Sequence, residues 1–169
     1  QETKVRDAEV PLAALKKTGY RQIEINGQKG YHGVALLSRW PIETVERRGF
    51  CAKGDARHIC ARFTDGPAKD VTIHNFYVPA GGDEPDPALN EKFAHKLAFV
   101  DEMRDWFRDH GVGKAKAMLV GDLNIAPLEH DVWSHRQMLK VVSHTPVEVE
   151  KFTTAFSHDW IDALRRFGG

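Results

Sequence analysis

The chain has 169 residues, enough for one domain or most of one, and 41% of them are hydrophobic. A chain of this size buries roughly two thirds of its unfolded surface on folding, so neither a disulfide nor a structural metal is needed to hold it. Twenty-four basic residues balance twenty-four acidic ones, so net charge gives no argument for a nucleic acid partner and does not exclude a local basic face. The two cysteines, Cys51 and Cys60, lack CxxC spacing and read as reduced thiols. No signal peptide or long apolar run is present, and the expectation is a soluble cytoplasmic chain with no membrane partner.

In chain order, Gln1 to Val5 is too short to assign. Asp7 is placed to cap a helix from about Ala8 to Lys17, with Val10, Leu12 and Leu15 on its apolar side and a stop at Gly19. Tyr20 to Ile25 alternates as a strand entering the turn Asn26-Gly27, and Val34 to Leu37 is a second strand closed by Trp40-Pro41. Arg57 to Phe63 and Val71 to Val78 are two further strands on either side of the turn Asp65-Gly66-Pro67. A Pro/Gly-rich loop follows over Pro79 to Pro87. The spacing of Phe93, Leu97, Val100, Met103 and Phe107 then predicts a long helix over Leu89 to Asp109, ending at Gly111. Ala117 to Val120 reads as a short buried strand. His130 to Ser143 is mixed, Pro146 to Phe156 is helical, and His158 to Phe167 forms a last short helix. Strands alternate with helices, and two adjacent strand pairs read as antiparallel. This predicts a single mixed-sheet α/β domain spanning 1–169, with helices outside.

Polar residues gather where apolar strands end. The last strand breaks at Gly121 and passes at once to Asp122 and Asn124, which project together if the chain stays extended. Strand ends are where α/β sheets place their chemistry. An Asx-type turn after a core strand accounts for the same residues. Asn75-Phe76-Tyr77-Val78-Pro79 ends another strand, and Glu2 opens the chain. Carboxylates collected at strand ends suit Mg²⁺, which takes only one or two protein carboxylates and fills its shell with water and substrate phosphate. No HxxxH pair suggests zinc, and His74 reads as structural. There is no Gly-x-Ser-x-Gly elbow and no Walker loop, which removes acyl transfer and nucleoside triphosphatase chemistry.

Taken in order, Gln1-Glu2-Thr3-Lys4, Gly30 to Arg39, Asn75 to Pro79 and Gly121 to Ala126 resemble the motifs of the exonuclease III family. That family, within the exonuclease/endonuclease/phosphatase superfamily, includes the bacterial apurinic/apyrimidinic endonucleases. The resemblance covers essentially the whole chain and implies a DNase-like four-layer sandwich, two mixed β-sheets face to face with helices outside. It implies that Glu2 binds the catalytic Mg²⁺ (or Mn²⁺), with Lys4 beside it. Asp122 and Asn124 would orient the attacking water and contact the scissile phosphate, and the Tyr77 hydroxyl would approach that phosphate. Tyr31 and Arg57 would touch the DNA near the lesion. The family's upstream Asn-bearing strand, and its downstream Asp and Asp-His pair, have no match here, so the chain is expected to be a fragment incomplete at both ends. His158-Asp159 has the reverse order, and Asp159 reads as a helix cap. Ala80 stands where relatives can carry a polar side chain.

The implied activity is that of a monomeric DNA-repair phosphodiesterase, acting on double-stranded DNA 5′ to abasic sites and from 3′ ends by metal-assisted attack of water. Two other readings remain. One is a phosphoesterase acting on a phospholipid or inositol phosphate; the other is a non-catalytic DNA-binding fragment.

Overall fold

A computed structural model describes residues 1–157 and 159–168. The chain divides into two compact units, one made of Gln1–Val78 with Lys116–Leu123, the other of Pro79–Ala115 and the residues from Asn124 on.

The first unit holds both sheets. Strands β1 (Gln22–Asn26) and β2 (Val34–Ser38) form an antiparallel pair in which Ile25 faces Ala35. Strands β3 (Ile42–Glu46), β4 (His58–Phe63), β5 (Thr72–Tyr77) and β6 (Ala117–Asp122) form a mixed sheet in that order, antiparallel except for the parallel β5–β6 pair. Val34 and Leu36 of β2 pack on Ile59 of β4 and Tyr77 of β5. Two carboxamides tie the sheets together: Asn26 Nδ2 donates to the His58 carbonyl at 2.9 Å, and Asn75 Nδ2 to the Ala35 carbonyl at 3.0 Å. The expected antiparallel pairs are both present. One sheet is purely antiparallel rather than mixed.

Three local expectations change. The helix expected over 8–17 is split by Pro11, which offers no backbone donor. A 3₁₀ turn spans Asp7–Glu9 and helix α1 only Leu12–Lys17. Asp7 does not cap a helix; its carboxylate accepts from the Gly27 N–H at 2.6 Å. Strand β3 was not expected. It is a sheet edge whose Val45 faces solvent while Thr44 and Glu46 are half-buried, so its polarity pattern points the wrong way for a half-buried strand. Strand β6 is not buried: it is the other edge, with Met118 and Val120 exposed, and it runs on through Gly121 to Asp122.

The second unit is built on α2 (Glu91–His110). Asn90 caps it by accepting from Lys92 N–H, and Gly111 at φ 60° ends it. The short helix α3 covers His135–Met138. Helix α4 (Pro146–Phe156) matches the expected span. Its N-terminus has Pro at the first position and a capping box between Thr145 and Glu148. Phe107 of α2 lies with its ring centroid 5.9 Å from Phe156 and 5.1 Å from Trp160, while Phe93 and Leu97 pack on Val142. The last helix, α5, spans only Ala163–Phe167 and is capped by Asp162, not Asp159. His158 lies outside the described residues. No helix among the described residues is long and apolar enough to cross a membrane.

Candidate active site

The start of the chain is held by the turn between β1 and β2. Thr3 N–H donates to the Gly33 carbonyl at 3.2 Å, Lys4 N–H to that of His32 at 3.1 Å, and Gly30 N–H to that of Lys4 at 2.9 Å. The contact is close enough to require glycine: a Cβ on Gly33, at φ +85°, would fall 2.1 Å from Thr3 Oγ1. Glu2, Lys4 and His32 adopt φ values of 54°, 57° and 63°. Left-handed backbone at three non-glycine residues in one place is strain of the kind that clusters at functional sites.

That strained segment delivers Glu2 to Tyr77, seventy-five positions away in sequence. The Tyr77 hydroxyl donates to Glu2 Oε1, and Lys4 Nζ lies 2.8 Å from Oε2. The hydrogen bonds from Lys4 first and Tyr77 second hold the Glu2 carboxyl below the usual carboxylate range. Burial first, and the Glu2 carboxylate second, push the Tyr77 phenol up to about 12. At neutral pH the pair is therefore an ionised carboxylate and a protonated phenol, and the phenol is a hydrogen-bond donor.

Arg57 supports Tyr77 from within the protein. The residue is 7% exposed, Nη1 donates to the Tyr77 carbonyl at 3.1 Å, and the guanidinium sits 5.0 Å from the Tyr77 ring centroid. Its Nε reaches Asp55 at 3.3 Å. Tyr31 is the opposite case, 75% exposed on the turn beside His32.

Asp122 ends β6 directly beside Tyr77, whose Cα it pairs with in the parallel ladder. Its carbonyl accepts from Val78 N–H at 2.9 Å. Gly121 makes this possible. At φ +133° it passes so close to β5 that an added Cβ would lie 1.9 Å from the Phe76 carbonyl oxygen. The strand ends at Asp122 and Asn124 turns at φ 51°, so the extended alternation expected of Asp122 and Asn124 does not continue past Asp122. Asn124 belongs to the second unit, where its carbonyl accepts from Lys96 Nζ at 2.7 Å.

The first unit therefore gathers Glu2, Lys4, Arg57, Tyr77 and Asp122, with Tyr31 exposed at the turn. It also holds residues that sequence reasoning passed over. His32 Nε2 lies 3.7 Å from Asp55, and its ring is 6.3 Å from that of Tyr77; burial, then the charge of Arg57, lowers its pKa. The signal was available, since His32 sits inside the Gly30-to-Arg39 motif and Asp55 lies two residues before Arg57. Gln1 donates through Nε2 to Asn75 Oδ1.

The donor set decides what kind of metal could be held. Among the described residues no group of three or more His, Cys, Asp or Glu side chains could hold an ion. A half-exposed, ionised Glu2 does fit a hard cation that keeps its waters and uses one or two carboxylates.

The first unit packs two sheets against each other, with an acid–base cluster at their strand ends. The chain belongs to the Endonuclease/Exonuclease/phosphatase family, whose sequence pattern matches residues 1–165. It is 28% identical over 134 residues to exodeoxyribonuclease III of Haemophilus influenzae, a match covering 78% of this chain and 48% of the relative. Its structure is similar to that of an AP endonuclease from Archaeoglobus fulgidus, with TM-score 0.84 and 25% identity over 99% of this chain and 62% of the neighbour. It is also similar to the 3′ phosphatase NExo from Neisseria bound to a product DNA hairpin, with TM-score 0.73 and 25% identity over 91% of this chain and 57% of the neighbour. The chain spans about half the length of the curated relative it matches.

Proposed function

We propose that the protein is a DNA-repair phosphodiesterase, hydrolysing double-stranded DNA 5′ to abasic sites and from 3′ ends by attack of water on phosphate. The observation that carries this reading is the Glu2–Tyr77 pair. An ionised carboxylate and a protonated phenol are joined at strand ends, with Asp122 beside them in the ladder, on a chain similar to an exodeoxyribonuclease and an AP endonuclease. The two units are proposed to belong to one catalytic domain, in keeping with a family match that runs without a break over residues 1–165. We take the protein to act as a monomer in the cytoplasm.

Each residue has a task that its surroundings support. Glu2 would hold Mg²⁺ or Mn²⁺, and Lys4 keeps its carboxylate ionised and fixed. A bound hard cation would supply charge neutralisation for the phosphate oxygens. Asp122, exposed at the strand end, orients the attacking water. Tyr77 is preset as a donor and turns its hydroxyl to a non-bridging oxygen, with Arg57 and Asp55 fixing the ring and backbone behind it. Asn124, two residues beyond Asp122, offers its carboxamide to the scissile phosphate. Tyr31 offers an exposed ring to the DNA. Donors aimed at developing negative charge need no covalent intermediate, and losing one costs about a hundred- to a thousandfold in rate.

A second reading, 3′-phosphate removal from DNA, gains support from the similarity to a 3′ phosphatase, and uses the same attack on a terminal phosphate. The test compares an end-labelled duplex carrying one abasic site, a duplex ending in a 3′-phosphate, and an inositol phosphate, each with Mg²⁺ or EDTA. Mg²⁺-dependent nicking of the abasic duplex is expected. Phosphate release from the 3′-phosphate duplex alone would favour the second reading. Turnover of the inositol phosphate alone, or DNA binding without cleavage, would overturn both.

A further inference from the structure

Lys96 is wholly buried in the second unit, in the middle of α2, among positions that otherwise form the helix's apolar face. Its ammonium carries three donors, and it reaches Glu148 Oε1 at 2.5 Å, the Asn124 carbonyl at 2.7 Å and the Ala80 carbonyl at 3.1 Å. Ser143 Oγ lies further off at 3.5 Å. Glu148 is equally buried. Its carboxylate accepts from Ser143 N–H at 2.9 Å and from the Thr145 N–H and hydroxyl at 3.1 and 2.7 Å. Ser143, at φ 88°, in turn accepts from Ala126 N–H at 2.8 Å. The loop around Asn124 is therefore held at two points, Asn124 and Ala126, by one buried ion pair and the strained residue it stabilises. Gly81 leaves room for the pair, since a Cβ there would lie 2.8 Å from Lys96 Cδ.

Stability alone is a weak reason for this arrangement. A buried ion pair is often no better than a well-packed apolar replacement, and α2 already buries Phe93, Leu97 and Val100 beside it. What an apolar side chain could not do is fix two backbone carbonyls. One belongs to Asn124; the other lies three residues beyond Tyr77.

We propose that Lys96, held by Glu148, is a positioning residue that sets the Asn124 turn and so the placement of the Asn124 carboxamide. This rests on the role assigned to Asn124 above. The pair acts through Asn124 and touches no substrate itself.

The test uses Lys96→Gln and Glu148→Gln in the whole protein. The readouts are steady-state kinetics on abasic duplex, well below the unfolding temperature, and the Asn124 side-chain amide resonance, assigned by its loss in Asn124→Asp. In Lys96→Gln, kcat is expected to fall about tenfold to a hundredfold, with KM changed less than about threefold, as for a misplaced catalytic group. The Asn124 amide resonance is expected to move while most others stay. Glu148→Gln, which still presents an acceptor to Lys96, is expected to show a smaller change in the same direction, and it decides the matter if Lys96→Gln does not fold. An unmoved Asn124 resonance, or kcat unchanged per folded molecule, would overturn the proposal. The resonance reports positioning even if the protein cleaves no DNA, so failure of the functional reading and failure of this proposal give different results.

Discussion

Replacing Gly121 by alanine should damage the fold and the proposed site through one contact. The backbone there has φ +133°, a region that L side chains rarely adopt, and the new Cβ would lie 1.9 Å from the Phe76 oxygen and 2.9 Å from that residue's carbonyl carbon and nitrogen. Relief requires β6 to move away from β5 by about 1 Å or more, which takes neighbouring ladder bonds out of hydrogen-bonding range. The bond from Val78 N–H to the Asp122 carbonyl, now 2.9 Å, is the nearest at the strand end. Backbone strain contributes about 1–3 kcal/mol. One or two lost ladder bonds add about 0.5–1.5 kcal/mol each. The expected destabilisation is about 2–6 kcal/mol, a large part of the roughly 5–15 kcal/mol typical of a folded domain. Urea unfolding followed by tryptophan fluorescence measures it, and with a slope of about 1–3 kcal/mol per molar the midpoint should drop by about 1 M or more. A loss below about 1 kcal/mol would refute the claim that β6 runs flush against Phe76, and with it the placement of Asp122 beside Tyr77.

Two further predictions test other parts of the protein. His58 and His74 stack in the interior, with burial the main cause and their mutual repulsion second for His58, and their pKa values fall to about 3 and about 4. With an ordinary value of 6.5 when unfolded, the unfolded chain binds more protons between pH 6.5 and pH 4. Stability present above pH 6.5 is therefore lost on acidification through that window, by about 1.4 kcal/mol per pH unit for each histidine. A proton NMR titration should show both rings neutral down to pH 5, and a midpoint near 6.5 for either would contradict the burial argument. Tyr31→Ala, at a 75% exposed position, should leave the urea midpoint unchanged while weakening DNA binding more than turnover. Loss of a stacked base costs about 1–3 kcal/mol in binding, so an unchanged Kd would remove Tyr31 from the interface.

The sequence already showed the elements whose pattern and punctuation agree. The hairpin around Asn26-Gly27, the pair flanking Asp65-Gly66-Pro67, and helices α2 and α4 all appear close to their expected spans. It misled where a local pattern competes with position in the sheet. Strand β3 is a short edge with its apolar Val45 outside, and β6 is an apolar run that nonetheless lies at an edge. The motifs named the residues of the candidate site but not their mutual arrangement. Nothing local brings Glu2 to Tyr77 across seventy-five positions, and nothing local buries Arg57 beneath that tyrosine rather than on the surface. Lys96 was hidden for a related reason: helical spacing identifies the apolar neighbours of a buried face, and a charged residue among them reads as a gap.

In the proposed reaction the cluster of Glu2, Tyr77 and Asp122 hydrolyses DNA phosphodiesters. The measurement that tests it most directly is single-turnover nicking of an abasic-site duplex in Mg²⁺ by the protein and by its Asp122→Asn variant, with circular dichroism confirming that the variant is folded. Nicking by the unaltered protein that falls at least about a hundredfold in a folded Asp122→Asn variant is the predicted result. Near-normal nicking by that variant would contradict it.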